Sequence, residues 1–496
     1  MNHIIFHTMH YLMQNKKKIS KWKIVNNTLP IFVGTCFFIL TFRILKIYDS
    51  GNTALFFYFL VSLAFNYYGI YKHHKNLLNM YYLLSYSILI FYRSPEIFKY
   101  GRFFAEEGSV FWSYSLANNY SDILQHLIPT GGYFTLNVNL VMILIKFLPN
   151  SFAPFVSTYF SFIVSLLPAF FVYKYNIFEL DDLERSYVFG IYVFLQSLNW
   201  PEVALNSINS QVYLGVTVFF IVTFGIKSKN IFFRIFEQAV LIIAFLSSFY
   251  AVIQFPIIFL RYIYKKSNYL LFTLISSFLT ACFQSLVFYY SKRIDILYFE
   301  KANNLPNFEY IFNTYLESFL INLVSIKYYK SSFGIILLVL LLLLFLFNVY
   351  NSDVFLLVFI NSLLQLFLVV FGQADVYFSE RYAVVLPTVS FTLVLLLINK
   401  QFKKHFIYFL IVIFMLNVAS FTFHTSRFFS CNDSCVLWSD QINNDTVEHW
   451  PTGGYWITDL KNPKPQPSSF QIDTFNFNYE KYYNFKVSFL LDDIFR

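Results

Sequence analysis

The stretch of sequence that decides the fold runs from Phe333 to Tyr350 and reads FGIILLVLLLLLFLFNVY. It contains no charged residue, and similar apolar segments recur between Leu29 and Phe423. A helix needs about 20 apolar residues to cross the roughly 30 Å of hydrocarbon in a bilayer. Lipid offers backbone groups no partner, so each spanning segment must be helical. We therefore predict an all-α fold, a polytopic transmembrane helical bundle of about 11–13 spans.

The composition agrees with a membrane protein. The chain has 496 residues, of which 57% are hydrophobic and 13% charged, whereas soluble proteins carry about 25% charged residues. The net charge of +9 does not indicate a nucleic-acid partner, because most lysines cluster in short loops between apolar segments. That distribution follows the positive-inside rule. The expected partner is therefore the lipid bilayer.

The basic clusters also predict the orientation of the chain. Clusters at 16–23, 72–75, 227–234, 261–266 and 400–404 all fall on the cytoplasmic side in one arrangement of spans. The N-terminus is then cytoplasmic, and residues 1–423 form the membrane domain. The first apolar segment is expected to stay as an anchor, because no small-residue cleavage site follows it.

The polar segments of this arrangement share the opposite face. They are the loop at about 93–150, the loop at 291–332 and a C-terminal tail, 424–496, which we expect to be extracytoplasmic. Cys431 and Cys435 in the tail can form a disulfide if that compartment is oxidising. Between Glu237 and Leu260, a polar break at Ser247-Ser248 predicts a hairpin of two helices.

Two adjacent acids are the candidate catalytic residues. Glu106 and Glu107 lie in the first long loop, among Phe103, Phe104 and Trp112. An apolar environment raises the pKa of a carboxylate toward that of a useful general base. The alternative interpretation is an interfacial helix whose first turn favours acidic residues. Both interpretations remain open from the spacing alone.

Basic residues at the same face are candidates for binding phosphate. Arg381 begins a late span at its outer end, and a guanidinium can bond two phosphate oxygens at once. The alternative is an interfacial arginine paired with Glu380. Arg102, Lys327 and Lys330 are further phosphate candidates, and His126 is a candidate for phosphate or sugar.

Amide and aromatic side chains supply candidate sugar contacts. They could equally be turn residues or packing against the membrane surface. The candidates are Trp112, Tyr133, Asn206, Asn209 and Trp456. No glycine-rich loop of the kind that cradles nucleotide phosphates is present, so a sugar donor would have to arrive on a lipid. No metal site is predicted.

Taken together, these motifs resemble the GT-C type glycosyltransferases, which use polyprenyl-phosphate sugars, and in particular the bacterial O-antigen glucosyltransferases. The carrying residues are Ala105-Glu106-Glu107-Gly108, Gly132-Tyr133, Arg381-Tyr382 with Pro387, and Pro451 with Trp456. The resemblance follows the order of motifs along most of the chain. One departure is Glu107, which stands where the family pattern usually has Asp, so the resemblance does not tell which glutamate is the base.

The resemblance implies transfer of a sugar, glucose by expectation, from a polyprenyl phosphate to a polysaccharide such as the O-antigen of lipopolysaccharide. The location would be the bacterial inner membrane. Glu106 or Glu107 would activate the acceptor hydroxyl, and Arg381 would stabilise the departing phosphate. No cofactor is required, although some relatives use a divalent cation. The alternatives are a polysaccharide polymerase or ligase, which would use arginine-rich external loops, and a flippase or transporter, which would keep charges along its spans.

Overall fold

The computed structural model describes residues 94–127, 134–194, 203–225, 230–290, 353–371, 384–410, 436–450 and 456–463, with several more between 79 and 90 and at 412–414. Within these ranges the chain is mostly helical, as predicted. The expected spans near 29–71 and at 333–350, the loop at 291–332, and both cysteines of the tail lie outside the described residues. So do both ends of the chain.

The described helices include short helices in the first polar segment, longer apolar helices, and one short helix in the tail. In chain order they are α1 Pro95–Tyr100, α2 Ser113–Ala117, α3 Tyr120–Leu124, α4 Leu136–Lys146, α5 Ala153–Tyr175, α6 Asp182–Val193, α7 Gln211–Phe224, α8 Ile231–Phe245, α9 Phe249–Val252, α10 Phe255–Tyr264, α11 Asn268–Tyr290, α12 Asp353–Phe371, α13 Val385–Gln401 and α14 Trp438–Gln441. The predicted loop at 93–150 is thus itself largely helical.

Two of the described helices are long and apolar enough to cross a membrane. One comprises α5 and the short 3-10 helix before it, Asn150–Tyr175, and the other is Asn268–Tyr289. The sequence predicts spans near 152–173 and 269–290, and these two helices coincide with them. Pro154 starts α5, and Asn176 ends it in a left-handed conformation with φ 48°, a common way for a helix to stop. The predicted total of spans is not confirmed by the described residues.

A bent helix pair follows the predicted break. Ile231–Phe245 and Phe249–Tyr264 together are long and apolar enough to form a third span, but they are bent by 118°. The bend falls at Ser247-Ser248, where the sequence indicated a hairpin. The hydroxyl of Ser247 accepts the backbone N–H of Asn137 at 2.9 Å, which ties the bend to α4.

The core of the bundle is centred on α7. Nearly every residue of α7 is buried, and α5, α9 and α13 pack around it. Apolar side chains on the outer helices are exposed instead, for example Phe232 on α8 and Phe272 on α11. Large exposed apolar surfaces of this kind mark contact with lipid or another protein.

The described part of the tail departs from the all-α prediction. Strands β1, Thr446–Glu448, and β2, Ile457–Asp459, pair antiparallel with Val447 opposite Thr458. β-Branched residues at 446, 447, 457 and 458 favour strands. This hairpin and α14 pack against the segment that carries Glu106 and Glu107, so the first polar segment and the tail form one unit.

Candidate functional site

Residues 101–113, called the acidic segment below, contain two residues with positive φ. Gly101 has φ 60° and Ala105 has φ 42°. At Gly101 an added Cβ would overlap the ring of Phe155, so only glycine fits that approach to α5. At Ala105 a left-handed conformation costs an L-residue about 1–2 kcal/mol, and such strain clusters at functional sites.

A short π-helix, Glu107–Trp112, follows Ala105. π-Helical turns are rare and occur frequently at functional sites. The backbone N–H groups of Gly108 and Ser109 both donate to the carbonyl of Ala105, at 3.1 and 3.2 Å. The carbonyl of the strained residue therefore accepts two hydrogen bonds from the helical turn that follows the glutamates.

Glu107 is enclosed by hydrogen-bond donors. Its side chain is 2% exposed. One carboxylate oxygen accepts the hydroxyls of Ser157 and Ser207 and the backbone N–H of Ser207 at 2.8 Å. The other accepts the backbone N–H of Phe104 at 3.3 Å. Glu107 thereby joins its own loop, α5 and the turn that precedes α7.

The electrostatics of Glu107 are set mainly by burial. Desolvation raises the pKa of Glu107 above its usual value of 4.5, while the bonds from Ser157, Ser207 and Phe104 act in the opposite direction. Within the described part of the chain, no cationic side chain contributes to that shift. A carboxyl group with a raised pKa is easily protonated.

Glu106 differs from its neighbour although one peptide bond separates them. It is only partly buried, and its carboxylate makes no hydrogen bond or ion pair with the residues that the structure describes. It precedes the π-helix in a helical backbone conformation. Glu106 is thus the more accessible of the two acids.

The tail binds the acidic segment through its backbone. Ala105 N–H donates to the carbonyl of Trp450 at 2.6 Å, and Trp450 N–H donates to the carbonyl of Phe103 at 2.7 Å. Arg102 pairs with Glu448 at 2.8 Å and its guanidinium lies 5.4 Å from the centre of the Trp450 ring. Arg102 was predicted to bind phosphate; here its guanidinium is buried and engaged by the tail.

A buried hydroxyl network links the tail to the π-helix. The Thr458 hydroxyl is 2.7 Å from that of Ser113, donates to the carbonyl of Gly108 at 3.3 Å, and lies 2.8 Å from His449 Nε2. Burial, followed by the charge of Arg102, lowers the pKa of His449 to about 3. His449 is therefore neutral at physiological pH and acts as a packing and hydrogen-bonding group.

An aromatic cluster fills the space behind these contacts. Trp112 is fully buried and lies 5.2 Å from Phe103 and 5.3 Å from Trp438 between ring centroids. Trp438 donates its indole N–H to the carbonyl of Asn150 at 2.8 Å, at the start of α5. Trp112, a predicted sugar contact, is thus part of the core beneath the acids.

The other predicted sugar contacts are spread around this unit. His126 stacks on Tyr114 with ring centroids 3.8 Å apart, and burial lowers the pKa of His126 to about 3. Asn206 is buried and caps a turn by accepting the N–H groups of Ile208 and Asn209 at 2.8 and 3.3 Å. Ser207 is part of this turn and binds Glu107, so the turn lies beside Glu107. Trp456 accepts the N–H of His449 with its carbonyl at 2.9 Å.

Four predicted site residues lie outside the described residues, namely Tyr133, Lys327, Lys330 and Arg381. Among the residues that the structure describes, no group of three or more His, Cys, Asp or Glu side chains is arranged to hold a metal ion. The predictions for phosphate and metal therefore stay predictions.

Sequence reasoning missed the two serines that bind Glu107. Ser157 belongs to a buried series, Ser157, Ser161 and Ser165, spaced four residues apart on α5. Residues at this spacing share one helix face, so a polar stripe in an apolar helix was a usable signal. Ser207 carries no such signal, because turns are commonly rich in serine.

Comparisons with known protein families, with curated proteins and with solved structures found no match to this chain.

Proposed function

We propose that the protein is a membrane glycosyltransferase that moves a sugar from a polyprenyl-phosphate donor to a cell-surface polysaccharide, with Glu106 as the general base. The observation that carries the proposal is the difference in burial and hydrogen bonding between two adjacent acids. Glu107 has four hydrogen-bond donors around it and 2% exposure. Glu106 is partly exposed and unoccupied by the described residues.

The burial of Glu107 favours a positioning role for this residue. Its carboxyl group is 2% exposed and already accepts four hydrogen bonds from the protein, so it offers a substrate hydroxyl little access. By fixing its own loop to α5 and to the turn at Ser207, it fixes the backbone of its neighbour. A catalytic group held by rigid surroundings needs no reorganisation during the reaction.

The reaction is written as a single displacement. The acceptor hydroxyl gives its proton to the carboxylate of Glu106 while its oxygen attacks the anomeric carbon. The bond from that carbon to the phosphate oxygen breaks, and the electron pair leaves with the polyprenyl phosphate. This displacement inverts the anomeric centre. Arg381 is the proposed partner of the leaving phosphate.

A lipid-borne donor fits the surroundings of the acids. The acidic segment follows α1, and both contact α5, which is one of the described helices long and apolar enough to cross a membrane. A polyprenyl chain stays in the bilayer, so its phosphate and sugar meet protein at such an edge. We place the site on the extracytoplasmic side of the bacterial inner membrane, with the N-terminus cytoplasmic.

The test is a comparison of cell-surface polysaccharide in cells that lack the gene. Cells complemented with the wild-type protein should carry additional sugar residues, seen by mass and linkage analysis. Cells with Glu106→Gln should lack them at equal membrane expression.

The matched control is Glu96→Gln, because Glu96 is also a partly buried glutamate in the same polar segment. It should restore the modification fully. An unchanged polysaccharide with the wild-type protein would reject the proposed function, and full modification by Glu106→Gln would reject the assigned base.

A further inference from the structure

The C-terminal tail holds the strained residue that precedes the two acids. Ala105 adopts φ 42° without being glycine, so contacts outside the residue must offset the cost. Trp450 supplies them on both sides, accepting from Ala105 N–H and donating to the carbonyl of Phe103. The tail thus adds a short parallel bridge to the loop at the point of strain.

The segment of the tail that makes this bridge is itself fixed. His449 N–H donates to Trp456 at 2.9 Å, which closes the β1–β2 hairpin next to Trp450. The Thr458 hydroxyl then joins His449 to Ser113 and to Gly108. The network therefore spans both partners, the hairpin and the π-helix.

Gly108 allows the tail to pack closely against the π-helix. A Cβ added at Gly108 would overlap the imidazole of His449. The His449 ring therefore occupies the space where any other residue would carry its side chain. This close approach brings the tail against the backbone immediately after the two acids.

We propose that the described part of the tail, residues 436–450 and 456–463, is a positioning element of the site, which holds Ala105 in its left-handed conformation and so aims the Glu106 carboxylate at the substrate. The proposal for the loop conformation stands by itself, and its consequence for transfer rests on the proposed function. Thr458 is the residue through which the effect can be tested, because its hydroxyl joins the tail to the π-helix and its backbone lies in β2.

The experiment compares Thr458→Val with Thr458→Ser in the full-length protein in detergent. Valine keeps the shape of threonine and removes the hydroxyl, while serine keeps the hydroxyl. Hydrogen–deuterium exchange is measured for peptides covering residues 101–113. Transfer is measured with a synthetic polyprenyl-phosphate glucose as donor and cell-surface polysaccharide as acceptor.

Thr458→Val should exchange at least tenfold faster in this segment and lose at least tenfold in kcat, with the donor KM changed less than threefold. Thr458→Ser should stay within about twofold of the wild type in both measurements. A merely structural role would reduce the amount of folded protein but leave kcat per folded molecule unchanged. Unchanged exchange in Thr458→Val, or faster exchange with an unchanged kcat, would overturn the proposal.

A second variant covers the case in which Thr458→Val does not fold. Glu448→Gln weakens the ion pair to Arg102 at a side chain that is 33% exposed, so folding should tolerate it. It should give the same pattern at a smaller size, about a threefold fall in kcat with faster exchange in 101–113. Normal exchange and kcat in Glu448→Gln would count against the positioning role of the tail. If the wild type transfers no sugar while Thr458→Val still exchanges faster, the tail still holds the loop conformation and the proposed function fails.

Discussion

Two buried glutamates in different regions of this molecule are held by hydroxyl groups and yet have different surroundings. Glu107 lies in the acidic segment and accepts from two serine hydroxyls and two backbone N–H groups. Glu237, on α8, is fully buried and accepts from the hydroxyls of Tyr175 and Tyr269.

The surroundings of Glu237 are those of a structural residue that links neighbouring helices. Arg234 and Lys174 interact with it electrostatically, and both are fixed in place by aromatic rings, 5.4 Å from Tyr269 and 4.9 Å from Phe233. The nearby Arg261 donates to the carbonyl of Gly225 at 3.0 Å, beyond the end of α7. Cationic side chains therefore offset the charge of Glu237.

The surroundings of Glu107 differ in two respects. Among the residues that the structure describes, no cation offsets its charge, and a second acid that is partly exposed stands beside it. Burial alone thus does not distinguish a functional glutamate from a structural one. In our proposal the accessible neighbour makes the difference, because the buried Glu107 can then position the reactive Glu106.

The largest effect is expected when Glu107 loses its carboxylate. In Glu107→Leu, the hydroxyls of Ser157 and Ser207 and two backbone N–H groups lose their acceptor inside the protein. Each unsatisfied buried donor costs about 1–3 kcal/mol. We expect little folded protein, measured as the monodisperse fraction in detergent chromatography. A yield equal to that of the wild type would show that the serines do not depend on Glu107.

Gly108→Ala should come next. The new methyl group would overlap the His449 ring, and forced overpacking costs about 1–3 kcal/mol. The control is Gly190→Ala, where a Cβ would lie 3.0 Å from Phe414 and 3.2 Å from Tyr82, so small side-chain shifts can make room. Thermal unfolding should show a larger loss for Gly108→Ala. Equal losses would mean that the tail does not sit against residue 108.

A pH-dependent difference should separate Glu107 from its glutamine variant. Its pKa is raised in the folded protein relative to 4.5, so between these two values the folded state binds more protons than the unfolded state. Stability from this group is therefore greatest below pH 4.5 and falls as the pH rises through the folded pKa. Glu107→Gln lacks this titration.

Unfolding temperatures measured from pH 4.5 to 8 should show the wild type losing stability relative to Glu107→Gln as pH rises. Parallel curves for the two proteins would contradict the raised pKa of Glu107.

The smallest effect is expected at Glu237, the structural residue of the comparison. Glu237→Gln keeps one strong acceptor for the two tyrosine hydroxyls, so it should cost about 1 kcal/mol of stability. Sugar transfer per folded molecule should stay within about twofold, because Glu237 has no exposed acid beside it. A loss of transfer comparable to that of a variant at Glu106 would erase the distinction between the two regions.

The sequence predicted the helical character, the two helices that are long and apolar enough to cross a membrane, and the break at Ser247-Ser248, because each of these depends on local composition. It also selected Glu106 and Glu107 as unusual. It left their roles open, since adjacent residues share the same composition and differ only in what surrounds them in three dimensions.

The partners of the acids were harder to predict. Ser113 and Thr458 are 345 residues apart in the chain, and no local pattern links them. The left-handed conformation at Ala105 also could not be predicted from the sequence, because glycine is the usual signature of positive φ. Its cause lies in backbone bonds from Trp450, which any residue type at 450 except proline can make.

The most direct test of the central claim is the turnover of purified Glu106→Gln with polyprenyl-phosphate glucose at saturating donor and acceptor. General-base catalysis contributes about 10²–10⁴-fold, so kcat should fall by about 10³-fold. Hydrogen exchange in residues 101–113 should match the wild type. A kcat within tenfold of the wild type, in a variant with an intact acidic segment, would contradict the assignment of Glu106 as the base that Glu107 holds in place.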